Sequence, residues 1–299
     1  MLAENSVRKA ADYVEQELPR RLARELGDCL TSVSLVGSMA TERPAIGVVN
    51  DMDVVVVYDG NPASAIRKIE QTLAMLCQEL ACDPSVEITH TLLRGPVKPA
   101  ASGKPVLQIH CIPTTKGRLG RITPDAPRLT YNSWRIFGRP LCGVPLTQLI
   151  QIPRIGLRDV LEDERGLPQL QRGLTEMAAK ERQALGDGSV VDVEFSWTLD
   201  ARERAEAAMY GTLTAAWNTI EALYPHIITE HYERPAAARE FGQVFSGLLM
   251  ASWPAEVHRS HGQYCRGEFP LTLERVAELT AGTGRFLGQL EKAIVGIRG

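Results

Sequence analysis

Leu35-Val36-Gly37-Ser38, followed after twelve residues by Asp51-Met52-Asp53-Val54-Val55-Val56-Val57-Tyr58, is the stretch whose reading decides the fold. Ser32 to Val36 reads as a short strand running directly into the Gly-Ser pair. Met52 to Tyr58 reads as a second strand, and its continuous β-branched run predicts burial on both faces. Successive strand side chains alternate between faces, so Asp51 and Asp53 point the same way. Two carboxylates so placed repel each other unless a cation lies between them. Glycine permits close backbone approach to a phosphate, and the Ser38 hydroxyl adds a donor. An acid pair, a cation and a cradled phosphate together make up the requirement for phosphoryl or nucleotidyl transfer.

Upstream, Val7, Ala11, Val14, Leu18, Leu22 and Leu26 recur at intervals of three and four, the face of an amphipathic helix. Pro19 falls inside it and Gly27 ends it. Downstream, Asp59-Gly60-Asn61-Pro62 is a turn. A helix follows, with Ala65, Ile66, Ile69, Leu73, Leu76 and Leu80 facing the core. Val86 to Leu92 alternates as a third strand. Arg94 to Pro105 is a Gly-, Pro- and Lys-rich loop, and Val106 to Ile112 is a fourth strand stopped by Pro113. This order predicts an α+β domain over residues 1–150, with a mixed sheet flanked by helices.

Residues 151–299 read as a second, mainly helical domain for a substrate or partner. Tyr131 to Pro140 reads as an ordered connector. Val191, Val193, Phe195 and Trp197 alternate with polar residues in one more extended segment. Asp200 caps a helix striped by Ala205, Met209, Leu213, Ala216, Ile220 and Leu223. Another helix starts near Pro235, and the last carries Val276, Leu279, Phe286, Leu290 and Ile294. The C-terminal half is therefore expected to form a helical bundle.

Composition narrows the function classes. The chain has 299 residues, 44% apolar and 23% charged, with a net charge of −3 and a pI near 6.1. A binder of polynucleotides that works by phosphate neutralisation shows a basic balance, so the charge argues against nucleic acid as partner. Six scattered cysteines form no C-x-x-C pair, which argues against a zinc knuckle or a dense disulfide framework. No run reaches the roughly 20 apolar residues that span a bilayer, and the N-terminus lacks a signal-peptide pattern. These features predict a cytoplasmic protein without membrane contact. His258 and His261 are three apart on a helix, but no acid pair beside them completes a zinc signature.

The arrangement apolar-Gly-Ser, twelve residues, then Asp51-Met52-Asp53-Val54 resembles the signature of the DNA polymerase β-like nucleotidyltransferase superfamily. That superfamily includes aminoglycoside and minimal nucleotidyltransferases. The resemblance is close over about 25 residues and looser over the first 115. It implies that Gly37 and Ser38 contact nucleotide phosphates and that Asp51 and Asp53 ligate metal, with Mg2+ as cofactor and a nucleoside triphosphate such as ATP as co-substrate. It also implies a third carboxylate on a neighbouring strand, where two positions compete. Glu87 fits the apolar-acid-apolar pattern and is the expected third catalytic and metal-binding residue. In the alternative alignment the position falls on Ile109-His110-Cys111, so that His110 replaces the acid. Imidazole is a poor magnesium ligand, though it binds transition metals well. Arg94 and Lys98 flank the Gly95-Pro96 turn as candidate phosphate clamps. The expected function is transfer of a nucleoside monophosphate to an acceptor hydroxyl, with a small molecule as acceptor. The alternative is a catalytically degenerate member of the fold that binds a nucleotide or a protein partner. Oligomeric state, acceptor and base preference are not legible.

Overall fold

The structure is a computed structural model that describes residues 2–40, 46–47, 49–94, 104–119, 127–224 and 234–298. Helix α1 (Leu2–Leu26) opens the chain and strand β1 (Leu30–Val36) follows. Pro19 lies within α1. Gly27 ends the helix at φ +55°, a left-handed stop that glycine adopts without a Cβ penalty. A 3-10 turn, Gly37–Ala40, separates β1 from β2 (Val49–Tyr58). Helix α2 (Pro62–Leu80) starts at the predicted turn: Asn61 caps it by accepting from the Ser64 amide at 3.0 Å, and Pro62 occupies the first turn.

Strands β3 (Glu87–Thr91), β4 (Leu93–Arg94) and β5 (Val106–Thr115) come next, then helices α3 (Lys116–Leu119) and α4 (Arg128–Phe137) and strand β6 (Arg139–Gly143). Five strands form a mixed sheet in the order β3-β5-β2-β1-β6. β1 runs antiparallel to β2 and β6, whereas β5 runs parallel to β2 and β3. β5 continues past Pro113, the expected stop. Pairing with β3 ends at His110, so the proline lies where only the β2 flank is paired, and its missing N–H disrupts no β3 ladder.

The two faces of the sheet differ. Met52, Val54, Val56 and Tyr58 of β2, Val33 and Leu35 of β1, and Leu107, Ile109 and Cys111 of β5 pack with the apolar stripes of α1 and α2 in one buried cluster. The opposite face carries Asp51 and Asp53, with Gln108 and His110 beside them. The predicted burial of β2 on both faces therefore holds from Val54 to Tyr58, while the two acids stay partly exposed.

Short helices α5 (Leu146–Leu149), α6 (Leu157–Glu162) and α7 (Leu167–Arg172) precede strands β7 (Glu176–Ala184) and β8 (Val190–Thr198), which join β4 in a three-stranded sheet. The extended segment expected around Val191 to Trp197 is β8, while β7 and β6 fall in stretches that carried no strand pattern. Helix α8 (Ala201–Leu223) begins with the Asp200–Glu203 capping box. It is followed by α9 (Arg234–Val244), α10 (Trp253–Cys265) and α11 (Leu273–Arg298). Thr212 of α8 and Thr283 of α11 share a buried hydrogen bond of 2.9 Å, and Phe241 of α9 meets Phe286 of α11 edge-on at 5.3 Å.

The chain divides into two compact units, each built from more than one segment. One comprises residues 1–122, 133–152 and 179–195 and holds the five-stranded sheet. The other comprises residues 123–132, 153–178 and 196–299 and holds the C-terminal helices. Among the described residues, no helix is long and apolar enough to cross a membrane.

Candidate metal centre

Asp53 sits at the middle of the sheet, with Val36 of β1 opposite it on one side and His110 of β5 on the other. Gly37, the residue after Val36, has φ +71°. A Cβ built on Gly37 would lie 2.3 Å from Asp53 Oδ2, so the carboxylate occupies the space that any other side chain would fill. The glycine thus does two things at once: it turns the chain out of β1, and it lets the Asp53 carboxylate lie against its backbone. Ser38 is exposed at the start of the 3-10 turn, and buried Met39 anchors that turn in the core.

On the other flank, His110 Nδ1 lies 2.7 Å from Asp53 Oδ1. The His110 side chain is 9% exposed and that of Asp53 25%. Two atoms with lone pairs approach this closely only with a proton or cation between them, so an isolated carboxylate within an apolar strand has a stated partner. Asp51 is two residues earlier on the same face. One ligand atom from each of Asp51, Asp53 and His110 falls within 4.8 Å of the others, and among the described residues no other set of three His, Cys, Asp or Glu side chains comes together in this way. Asn50, which the sequence did not single out, fixes the entry to β2. Its side chain accepts from the Gly47 amide at 2.8 Å and donates to the Gly47 carbonyl at 2.9 Å and the Val106 carbonyl at 3.0 Å. It is 4% exposed and ties β2 to β5 one residue before Asp51.

Glu87 stands elsewhere. It begins β3 opposite Val106, four residues before His110 on β5. At about 3.3 Å per residue that offset is roughly 13 Å along the strand. Of the two competing third positions, His110 is the one drawn beside the acid pair. Arg94 pairs through its backbone with Lys180 across the β4–β7 ladder. Its side chain and Lys98 lie outside the described residues.

The donor set can be tested against a divalent cation. Gln108 is opposite Asp51 in the parallel β2–β5 register and shares a face with His110. It is 6% exposed, and its Oε1 is buried without a hydrogen-bond partner among the described residues. A buried acceptor oxygen lacking a donor, next to two carboxylates and an imidazole, is the environment that a bound cation would complete. The residues therefore fit a divalent ion.

Fold and site together define an α+β chain with a compact Asp-Asp-His centre. No protein-family model matches the chain, and no curated protein matches it. Among solved structures, the spectinomycin adenyltransferase of Enterococcus faecialis, determined with ATP and spectinomycin, aligns with 92% of this chain and 99% of its own length. The TM-score is 0.51 and the sequence identity 13%, so the likeness is one of fold.

Proposed function

We propose that this chain is a divalent-metal-dependent nucleotidyltransferase that moves a nucleoside monophosphate from a nucleoside triphosphate to a hydroxyl of a small-molecule acceptor. The observation that carries the reading is the acid pair Asp51 and Asp53 on a central strand, closed by the side-chain-free turn at Gly37. The fold likeness to an adenyltransferase solved with ATP and spectinomycin supports it over nearly the whole of both chains. The net charge of −3 suits a small acceptor better than a polynucleotide.

In the reaction, the acceptor oxygen attacks the α-phosphorus in line. The new acceptor O–P bond forms as the bond to the pyrophosphate oxygen breaks, pyrophosphate leaves and the hydroxyl proton passes to base or solvent. A bound divalent cation supplies charge neutralisation at the phosphates and a more acidic acceptor hydroxyl. Asp51 and Asp53 hold that cation. The Gly37-Ser38 turn receives phosphate oxygens through its backbone and the Ser38 hydroxyl. His110 fixes Asp53.

A second reading rests on His110. The resemblance implies a third carboxylate, and an imidazole stands beside the acid pair instead. In that reading the chain binds a nucleotide or a protein partner without turnover. Calorimetric titration with the four non-hydrolysable nucleoside triphosphates, with and without divalent metal, tests the first reading. Metal-dependent binding should appear in the native chain and disappear in Asp53→Asn, whose circular dichroism should match the native spectrum. Pyrophosphate release with an acceptor panel then separates turnover from mere binding. Binding that survives Asp53→Asn unchanged excludes the metal site.

A further inference from the structure

We propose that His110 makes this centre select a divalent transition metal over magnesium, with the Gln108 carboxamide oxygen as a fourth protein ligand. The proposal rests on the nucleotidyltransferase reading for what the ion does, but its choice of ion follows from the donor set alone. Magnesium prefers an octahedral shell of hard oxygens, usually carboxylates, phosphates and water. Here one of the three clustered donors is an imidazole, 2.7 Å from Asp53 and almost wholly buried. Imidazole suits iron, nickel, copper and zinc, whereas magnesium takes oxygen donors; Mn2+, the weakest binder of the first-row series, is the most demanding transition-metal probe of that preference. Replacing a carboxylate by a neutral ring also removes one negative charge, which weakens the hold on a hard ion most.

The placement of Gln108 is independent support. Asp51, Asp53, Gln108 and His110 occupy two successive rungs on adjacent strands, with Asp51 opposite Gln108 and Asp53 opposite His110. Neighbouring strands are roughly 4.8 Å apart, and same-face residues of one strand roughly 6.6 Å apart. Four donors at the corners of such a rectangle can converge on one ion. Gln108 Oε1 is buried without a hydrogen-bond partner among the described residues, which is costly for an acceptor unless a cation or donor reaches it.

The test uses the full-length chain and Mn2+ as probe. Mn2+ is titrated in and followed by electron paramagnetic resonance, with Mg2+ as competitor. Pulsed measurements on the bound ion report nitrogen coupling. The expected result is Mn2+ binding at least about tenfold tighter than Mg2+, with coupling to one imidazole nitrogen. His110→Asp should lose the nitrogen coupling and lower the Mn2+/Mg2+ affinity ratio by about tenfold or more. Should His110→Asp not fold, His110→Gln, neutral and similar in volume, must also lose the coupling. Gln108→Leu should weaken Mn2+ by about tenfold while keeping the nitrogen coupling. Native chain that fails to bind Mn2+, that binds it without nitrogen coupling, or that shows the same ion preference as His110→Asp overturns the proposal. An unchanged Mn2+ affinity in Gln108→Leu overturns the Gln108 assignment. A chain that binds Mn2+ as expected yet neither binds nor turns over any nucleoside triphosphate upholds the metal assignment and removes the nucleotidyltransferase reading, so the two fail separately.

Discussion

Gly37→Ala puts the site geometry to a direct test, because the structure states what the added methyl meets. The new carbon would lie 2.3 Å from Asp53 Oδ2 and 3.3 Å from its Cγ. An ordinary carbon–oxygen contact is about 3.4 Å, so the carboxylate must retreat by about 1 Å. Asp53 has only two side-chain torsions, and its other oxygen is held 2.7 Å from His110. A 1 Å retreat therefore breaks that contact or tilts the carboxylate away from Asp51. The backbone adds strain of about 1–2 kcal/mol, since φ +71° is left-handed and an L-residue is disfavoured there. Denaturant melts should show a stability loss of about 1–3 kcal/mol from strain and displacement together. Metal-dependent turnover should fall about 100-fold, as expected for a misplacement of about 1 Å at a reacting centre. Gly27→Ala is the matched control. Its φ is +55° and no described residue lies within 4 Å of the added carbon, so it should lose stability of about 1–2 kcal/mol with no change in metal binding. Wild-type metal affinity and turnover in Gly37→Ala would refute the packing of Asp53 against Gly37.

Three further outcomes are expected. Gly282→Ala places a methyl 2.3 Å from the Trp253 ring inside the helical unit; overpacking should destabilise the chain by about 1–3 kcal/mol in thermal melts while Mn2+ affinity stays unchanged. Asn61→Ala removes the side-chain cap of α2 and should lower stability by about 1 kcal/mol in urea titrations, against almost no effect if the cap contributes nothing. Burial pushes the Cys111 thiol up to about 12 and the Cys77 thiol up to about 11. The thiolate is the reactive form, so at pH 8 a disulfide reagent should label exposed Cys29 and Cys82 quickly and leave Cys111 untouched until the chain unfolds.

The elements most legible in the sequence are those whose structure is decided locally. The α1 stripe, the Asn61-Pro62 start of α2 and the Asp200–Glu203 capping box are set by neighbours within a turn, and all three form. β6 and β7 are decided by distant partners instead. Arg139-Pro140-Leu141-Cys142-Gly143 has no β-branched residue and becomes a strand because it lies along the free edge of β1. Glu176 to Ala184 is rich in helix formers, yet it extends because β4 and β8 flank it. The same division holds at the site. Asp51 and Asp53 can be read from strand period alone, since i and i+2 share a face whatever lies beside them. The third residue depends on which strand neighbours β2 and in what register, and that is a pairing across 57 positions. Glu87 satisfied the local apolar-acid-apolar pattern and His110 departed from it, and it is the β2–β5 register that sets His110 beside the acid pair. Asn50 was not singled out, because its tie to β5 is a bond to the Val106 carbonyl 56 positions away.

The sheet order explains how a strand can be both core and site. On β2, even positions from Met52 to Tyr58 face the helices, while Asp51 and Asp53 fall on the other face at the strand's start. An aspartate there would be an unpaired charge in an apolar strand but for its two neighbours. The antiparallel partner β1 ends beside Asp53, so its next residue, Gly37, turns away and clears space for the carboxylate. The parallel partner β5 runs on past the same level and brings His110 against the opposite oxygen. One flank thus supplies room and the other supplies a partner, and both act on a single carboxylate. The Gly-Ser pair and the acidic strand therefore meet at one carboxylate, that of Asp53.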